Sequence, residues 1–424
     1  MTKIDKIQAS QILDSRGNPT VQVNAFSGRL SVRASVPSGA STGKHEALEL
    51  RDGGSKFGGR GVTKAVSNVN GAIASAIAEK DFASLRDIDA AMIACDGTPN
   101  KSALGANAIL GVSMACSRLF SSEGNTELFQ FLSAFSGRSP ILPVPLLNII
   151  NGGVHAGGEL AVQEFLIVPS GFKSFSDALR CAAEIYQALK VYLKKKYGPF
   201  AVNIGDEGGF VPPVAETSEA LDAILVAIAE AGYAVGKEVH LAIDAAASEF
   251  YRNGIYHIDG MDLTAPALSD HYISLASRYP LISIEDPFDE EAFDDFAAFH
   301  AAAGKKLQII GDDLYVTNAA RIRQGIEKRS TNAVLIKLNQ IGTVSETVDS
   351  TLISIGAGMN TVVSHRSGET ADDFIADLAT GVATGQIKTG APARGERVAK
   401  YNRLLEIERN YPELGFAGHS VFRN

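Results

Sequence analysis

Short apolar runs that each stop at an ionisable residue dominate the second half of the chain. LISIE (residues 281–285) ends at Glu285, LQIIGDD (307–313) carries Asp312, and AVLIKLN (333–339) carries Lys337. NTVVSHRSG (360–368) carries His365, Arg366 and Ser367, and GQIKTG (385–390) carries Lys388. Runs of this length, bounded by Pro, Gly or polar breakers, read as buried strands. From Glu285 the marked positions fall 27, 25, 28 and 23 residues apart, the length of a strand, a helix and two short loops. HLAID (240–244) presents Asp244 in the same way before the series. If such strands close into a barrel, these residues meet at one mouth, at the strands' C-terminal ends.

The first third has a different rhythm. Three extended runs near residues 4–13, 20–26 and 30–36 are separated by the turn signals Gly17-Asn18-Pro19 and Ser27-Gly28, which predicts an antiparallel meander. Helical periodicity follows over 62–79, 88–95 and 104–120, the last with a small-residue face of Ala108, Gly111 and Ala115. Strands followed by helices predict an α+β domain. The segments 121–126 and 136–140 read as surface turns, so the expected domains are 1–137 and a barrel over 138–424. Between them and the strand series, helices are predicted over 176–197 and 218–232.

Composition narrows the function. With 45% hydrophobic residues, 424 residues can bury a large core. A net charge of −9, no Trp and only 7% aromatic residues argue against nucleic acid or an anionic membrane as partner. No apolar run approaches the ~18 residues of a membrane span, and Met1-Thr-Lys-Ile-Asp5 is not a signal peptide; a cytoplasmic protein is expected. Cys95, Cys116 and Cys181 lack metal-ligand spacing and read as reduced thiols.

At the mouth, Asp244, Glu285 and Asp312 would repel one another if all were ionised. A hard divalent cation removes that conflict, and oxygen-only ligands favour Mg²⁺ over Zn²⁺. Lys337 lies in an apolar strand, where burial and nearby cations favour the neutral amine that a general base needs. Arg366 and Ser367 offer a fork donor and a hydroxyl to a phosphate. Two glycine-rich loops add His155, among four glycines of residues 152–158, and Glu207, in GDEGG; Glu164 heads the run EFLIVP.

The stretches SRGNPT (15–20), VPSGASTG (36–43), NGGVHAGG (151–158), QEF, GDEGG, IEDP, GDD, LIKLNQIGT, SHRSGET and IKTGAPARGER together resemble the enolase family over essentially the whole length. The resemblance implies an irregular (β/α)8 barrel with one early antiparallel strand, behind an α+β N-terminal domain. It implies reversible dehydration of 2-phosphoglycerate to phosphoenolpyruvate with two Mg²⁺. By the same resemblance Asp244, Glu285 and Asp312 match ligands of one metal and Ser41 a ligand of the second. Lys337 matches the base, Glu207 the acid that helps hydroxide leave, with Glu164 beside it and His365 near the leaving group. Arg366, Ser367 and His155 match phosphate contacts, and Lys388 a carboxylate contact. A lysine base beside Mg²⁺ is the known pattern of this superfamily. A homodimer or higher homo-oligomer is implied as well. The alternatives are a racemase or lactonising enzyme of the wider superfamily, or a non-catalytic binding homologue. Ala371 departs from the family pattern, which often has another acid there.

Overall fold

A computed structural model gives the architecture and describes residues 1–39, 43–153 and 159–422. Ser41 and His155, two of the sequence-predicted site residues, lie outside the described residues. In the N-terminal part, β1 (Lys6–Leu13), β2 (Pro19–Ser27) and β3 (Leu30–Ser35) form the expected antiparallel meander. Leu13 pairs with Pro19, so the turn is as tight as the Gly-Asn-Pro signal requires. Alternation puts Val21, Val23 and Ala25 of the central strand on the buried face. Helix Ala106–Glu123 covers that face with its small-residue stripe: a Cβ added at Gly111 would lie 2.7 Å from Val23 Cγ2. Glycine there lets helix and sheet approach.

Eight strands close the barrel. They are β4 (Val144–Asn151), β5 (Glu164–Val168), β6 (His240–Asp244), β7 (Leu281–Glu285), β8 (Gln308–Gly311), β9 (Ala333–Ile336), β10 (Asn360–Ser364) and β11 (Gly385–Lys388). All neighbouring pairs are parallel except those of β5, which runs antiparallel to both β4 and β6. The strands are apolar almost throughout because helices cover the barrel wall and side chains fill its interior.

Three segments differ from the sequence expectation. The helix predicted over 62–79 holds a π-helical turn at Val69–Ile73. Residues 121–123 continue helix Ala106–Glu123, and a further helix, Leu128–Ser136, forms between the two predicted turn segments and takes in Ser136 of the second. Its Leu128, Phe129 and Leu132 are buried, so tertiary packing outweighs a serine-rich, turn-like neighbourhood. A small antiparallel sheet, Tyr251–Arg252, Ile255–Ile258 and Met261–Leu263, also interrupts the regular alternation after β6.

Charged ties bind the N-terminal elements to the barrel. Arg118 on helix Ala106–Glu123 holds both oxygens of Asp372 at 2.7 and 2.9 Å and reaches Asp373 at 2.9 Å. Asp372 also accepts the backbone N–H of Ser35 at 2.8 Å, while its neighbour Ala371, where an acid was expected, is exposed. Asp89 on helix Leu85–Asp96 accepts from the backbone N–H of Ser345 at 3.1 Å. Burial pushes the Asp89 carboxyl up to about 6. A carboxyl whose folded pKa exceeds its unfolded value favours the folded state while protonated; that advantage fades as pH rises from about 4 to about 6. Asp89→Asn keeps the acceptor and removes the charge. It should raise stability at pH 7.5 by up to about 3 kcal/mol, at 1.36 kcal/mol per pKa unit, and Tm with it, with a smaller gain at pH 5. A Tm difference that is constant across this range would refute a buried carboxylate that costs stability when ionised.

Candidate active site

The reversed strand β5 brings its first residue, rather than its last, to the barrel mouth. Glu164 pairs on one side with Asn151, the end of β4, and on the other with Asp244, the end of β6. Asp244 pairs in turn with Glu285, the end of β7. Three acids thus sit side by side on adjacent strands. Opposite, the last residue of β11 turns its amine onto them: Lys388 Nζ lies 2.9 Å from Asp244 Oδ2, 2.9 Å from Glu285 Oε2 and 3.2 Å from Glu164 Oε1. Burial works against the charge on Lys388, but these carboxylates outweigh it and hold its pKa well above the ordinary lysine value. Burial pushes Glu164 and Glu285 well up; Glu207 adds to the shift at Glu164, and Asp244 at Glu285.

Lys337, directly after β9, contacts Asp312, directly after β8. The other Asp312 oxygen accepts from Gln340 Nε2 at 2.9 Å, and Gln340 is anchored by Thr317 Oγ1 at 2.8 Å. Burial works against both charges, yet the pairing wins: Asp312 is held below the usual carboxylate range and Lys337 above the usual lysine value. Here the structure departs from the expected neutral amine, because the carboxylate lies closer to Lys337 than any cation that would repel its proton. Among the described residues, Asp286, Asp312 and Asp313 have oxygens within 4.8 Å of one another. Asp286 is occupied by the backbone N–H groups of Asp312 at 2.9 Å and Asp313 at 2.7 Å, so it braces the turn after β8. Burial, then Asp312, pushes Asp313 up to about 8.

The third group sits after β10. Arg366 makes a bidentate pair with Glu46, at 3.0 and 3.1 Å, and donates to Asn339 Oδ1 at 2.9 Å. Glu207 accepts from Asn148 Nδ2 at 3.1 Å, and His365 Nε2 lies 3.8 Å from Glu207 Oε2. Burial pushes the His365 imidazole well below its ordinary pKa. Glu164, Glu207, Asp244, Asp312, Lys337, His365, Arg366, Ser367 and Lys388 line one cavity, and Glu285 joins them through Lys388. Every described residue singled out in the sequence is therefore part of one assembly. Sequence reasoning missed Glu46, Gln340, Asn148 and Arg397, which act through contacts made only on folding. IKTGAPARGER contains Arg397, and its charge in a buried helix face was the available signal.

The residues present suit a hard divalent cation. Asp244, Glu285 and Asp312 supply only carboxylate oxygens, from neighbouring strands, with neither sulfur nor imidazole among them. Gln163 Oε1 and Glu164 Oε2 are buried beside them without hydrogen-bond partners among the described residues.

Family models for "Enolase, N-terminal domain" and "Enolase, C-terminal TIM barrel domain" match residues 4–132 and 139–424. Curated relatives are similar from end to end. An enolase of Thermococcus gammatolerans is 51% identical over 424 residues, covering 100% of this chain and 98% of that protein. One of Methanopyrus kandleri is 53% identical over 413 residues (97% and 96%), and one of Methanocaldococcus jannaschii 51% over 419 (99% and 98%).

The Arg366–Glu46 pair ties the site to the N-terminal domain, and both side chains are mostly buried. Removing one partner of a buried pair costs about 3–5 kcal/mol. Glu46→Ala should therefore lower thermal stability markedly, and Glu46→Gln, which keeps one acceptor, less so. Unfolding curves of Glu46→Ala that overlay the parent's would show the pair to be energetically idle.

Proposed function

The chain belongs to the enolase family and catalyses the reversible dehydration of 2-phosphoglycerate to phosphoenolpyruvate, and we propose that it does so with Lys337 as base and Glu207 as acid. The family works with divalent metal. Here we assign two Mg²⁺, one to Asp244, Glu285 and Asp312, the other to a set that includes Ser41. When bound, such ions stabilise the charge that grows on the substrate carboxylate as its α-proton leaves.

The chain's own groups do the rest. Lys337 Nζ takes the α-proton, for which it has to be unprotonated. Its contact with Asp312 opposes that state, so engagement of the Asp312 oxygens elsewhere is part of activating the base. Glu207, 3.8 Å from His365 and held by Asn148, delivers a proton to the departing hydroxide; Glu164 stands beside it. Arg366 and Ser367, with His155, bind the phosphate. Lys388 binds the substrate carboxylate, a role that suits an ammonium kept protonated by its acidic neighbours. The observation that carries this division of labour is a single cavity with Lys337 beside Asp312 and Glu207 beside His365. Racemase, lactonising and non-catalytic readings are not favoured, since the chain matches enolases along its entire length.

We further propose that residues 1–137 form a domain that completes the site of the barrel over 138–424, that the protein works in the cytoplasm and that it assembles at least as a dimer. Among the described residues no helix is long and apolar enough to cross a membrane. Light scattering should give a mass of at least twice 44.7 kDa; a monomer alone would refute assembly.

Isotope exchange separates the two halves of the reaction. In D₂O with Mg²⁺, Glu207→Gln should lose turnover by at least the ~10²–10⁴ typical of acid–base groups, yet still exchange the α-proton of 2-phosphoglycerate. Lys337→Ala should lose both turnover and exchange. Exchange at the parent rate in Lys337→Ala, or none in a folded Glu207→Gln, would reverse the assignment. Chelator should abolish turnover and Mg²⁺ restore it.

A further inference from the structure

Helix Gly395–Asn410 aims two fully buried cations at one loop. Lys400 holds Glu369 at 2.9 Å and donates to the Thr370 carbonyl at 2.6 Å, and Glu369 accepts in turn from the Arg366 backbone N–H. One turn earlier, Arg397 uses each of its four terminal N–H bonds. Nη1 donates to the Arg366 carbonyl at 2.5 Å and meets His365 Nδ1 at 2.6 Å. Nη2 donates to the Ser367 carbonyl at 2.7 Å and the Asp206 carbonyl at 3.0 Å. A guanidinium in a protein has donors and no acceptor, so Nδ1 of His365 has to accept. The neutral imidazole then carries its hydrogen on Nε2, the nitrogen facing Glu207. Reversing the ring's tautomer would set N–H against N–H at Arg397 and a lone pair against the Glu207 carboxylate. Gly390, at φ +76°, lets the chain pass this group: a Cβ there would lie 3.1 Å from Arg397 Cδ and 3.2 Å from His365 Cε1.

We propose that Arg397 is a positioning residue for the dehydration, fixing His365 as the Nε2–H tautomer and clamping residues 365–367 to Asp206, next to Glu207. The inference rests on the roles assigned above to His365 and Glu207. Arg397 touches no reacting atom; it acts by presenting one donor to the acid side of the cavity and by keeping the loop that carries Arg366 and Ser367 in register with the loop that carries Glu207. A brace alone would need the carbonyl contacts only. The contact to Nδ1 is what a brace does not require.

The test uses the full-length enzyme with ¹⁵N-labelled histidine, the His365 resonance being identified by its loss in His365→Gln. The parent should show a neutral His365 protonated on Nε2. Arg397→Met, with no donors, should shift the ring towards Nδ1–H and lower kcat roughly 10- to 100-fold, short of the ~10²–10⁴ for removing an acid–base group itself. Arg397→Lys, which keeps the charge and fewer donors, should fall between, and it carries the test if Arg397→Met does not fold. In a His365→Gln background the same changes should cost clearly less than in the parent, because only the part carried by the carbonyl clamp remains. Unchanged tautomer in a folded variant, or kcat losses that multiply in the double variant, would overturn the proposal. A fully active His365→Gln would instead dismiss the role given to His365, while the tautomer readout would still judge Arg397.

Discussion

Buried charge has to be matched, and that demand organises the molecule from the barrel mouth outward. Glu164, Asp244 and Glu285 share the Lys388 ammonium, Asp312 takes Lys337, and Glu46 takes Arg366. Left unpaired at such depth, any of these groups would cost several kcal/mol or change its protonation. Each pair joins residues far apart in sequence, so the charges can be satisfied only when the barrel has closed and the N-terminal domain is seated. The mouth therefore holds its own scaffold to a narrow geometry.

Satisfaction at rest and readiness for chemistry pull in different directions here. The contacts that keep Lys337 and Lys388 protonated suit binding of an anion, and they oppose removal of a proton by Lys337. In the reaction proposed above, divalent cations and a charged substrate would redistribute the same interactions. A site of this kind is balanced in each state by different partners, and its residues cannot be ranked by how well they are paired in one state alone.

Much of this was legible in the chain. Apolar runs ending in Glu285, Asp312, Lys337, His365 and Lys388 at near-constant spacing announce a barrel, because strand and helix lengths leave little freedom in the interval. The meander was legible from Gly17-Asn18-Pro19 and Ser27-Gly28, since turn chemistry is local. What could not be read depends on distant partners. Helix Leu128–Ser136 forms because Leu128, Phe129 and Leu132 find buried neighbours, against a turn-like surrounding sequence. Glu46 looks like any surface acid until Arg366 arrives from 320 residues away. Asp286, one residue beyond Glu285, gave no hint that it would serve the backbone N–H groups of the next turn. The contact between Lys337 and Asp312 could not be read, because the sequence shows which charges share the mouth and not the distances between them.

The reversed course of β5 has a consequence for how the barrel keeps its register. Asn151 and Glu164 occupy one rung of the ladder between β4 and β5, so the chain between them leaves and re-enters the sheet across a single strand spacing of about 4.8 Å. In a parallel pair, a loop at this end would lead into a helix and return at the far end of the barrel, and any change in its length would have to be absorbed along that path. Here the detour closes on itself. The register of the eight strands is thus set by the pairing of Asn151 and Glu164 with their neighbours and not by the path of the chain between them.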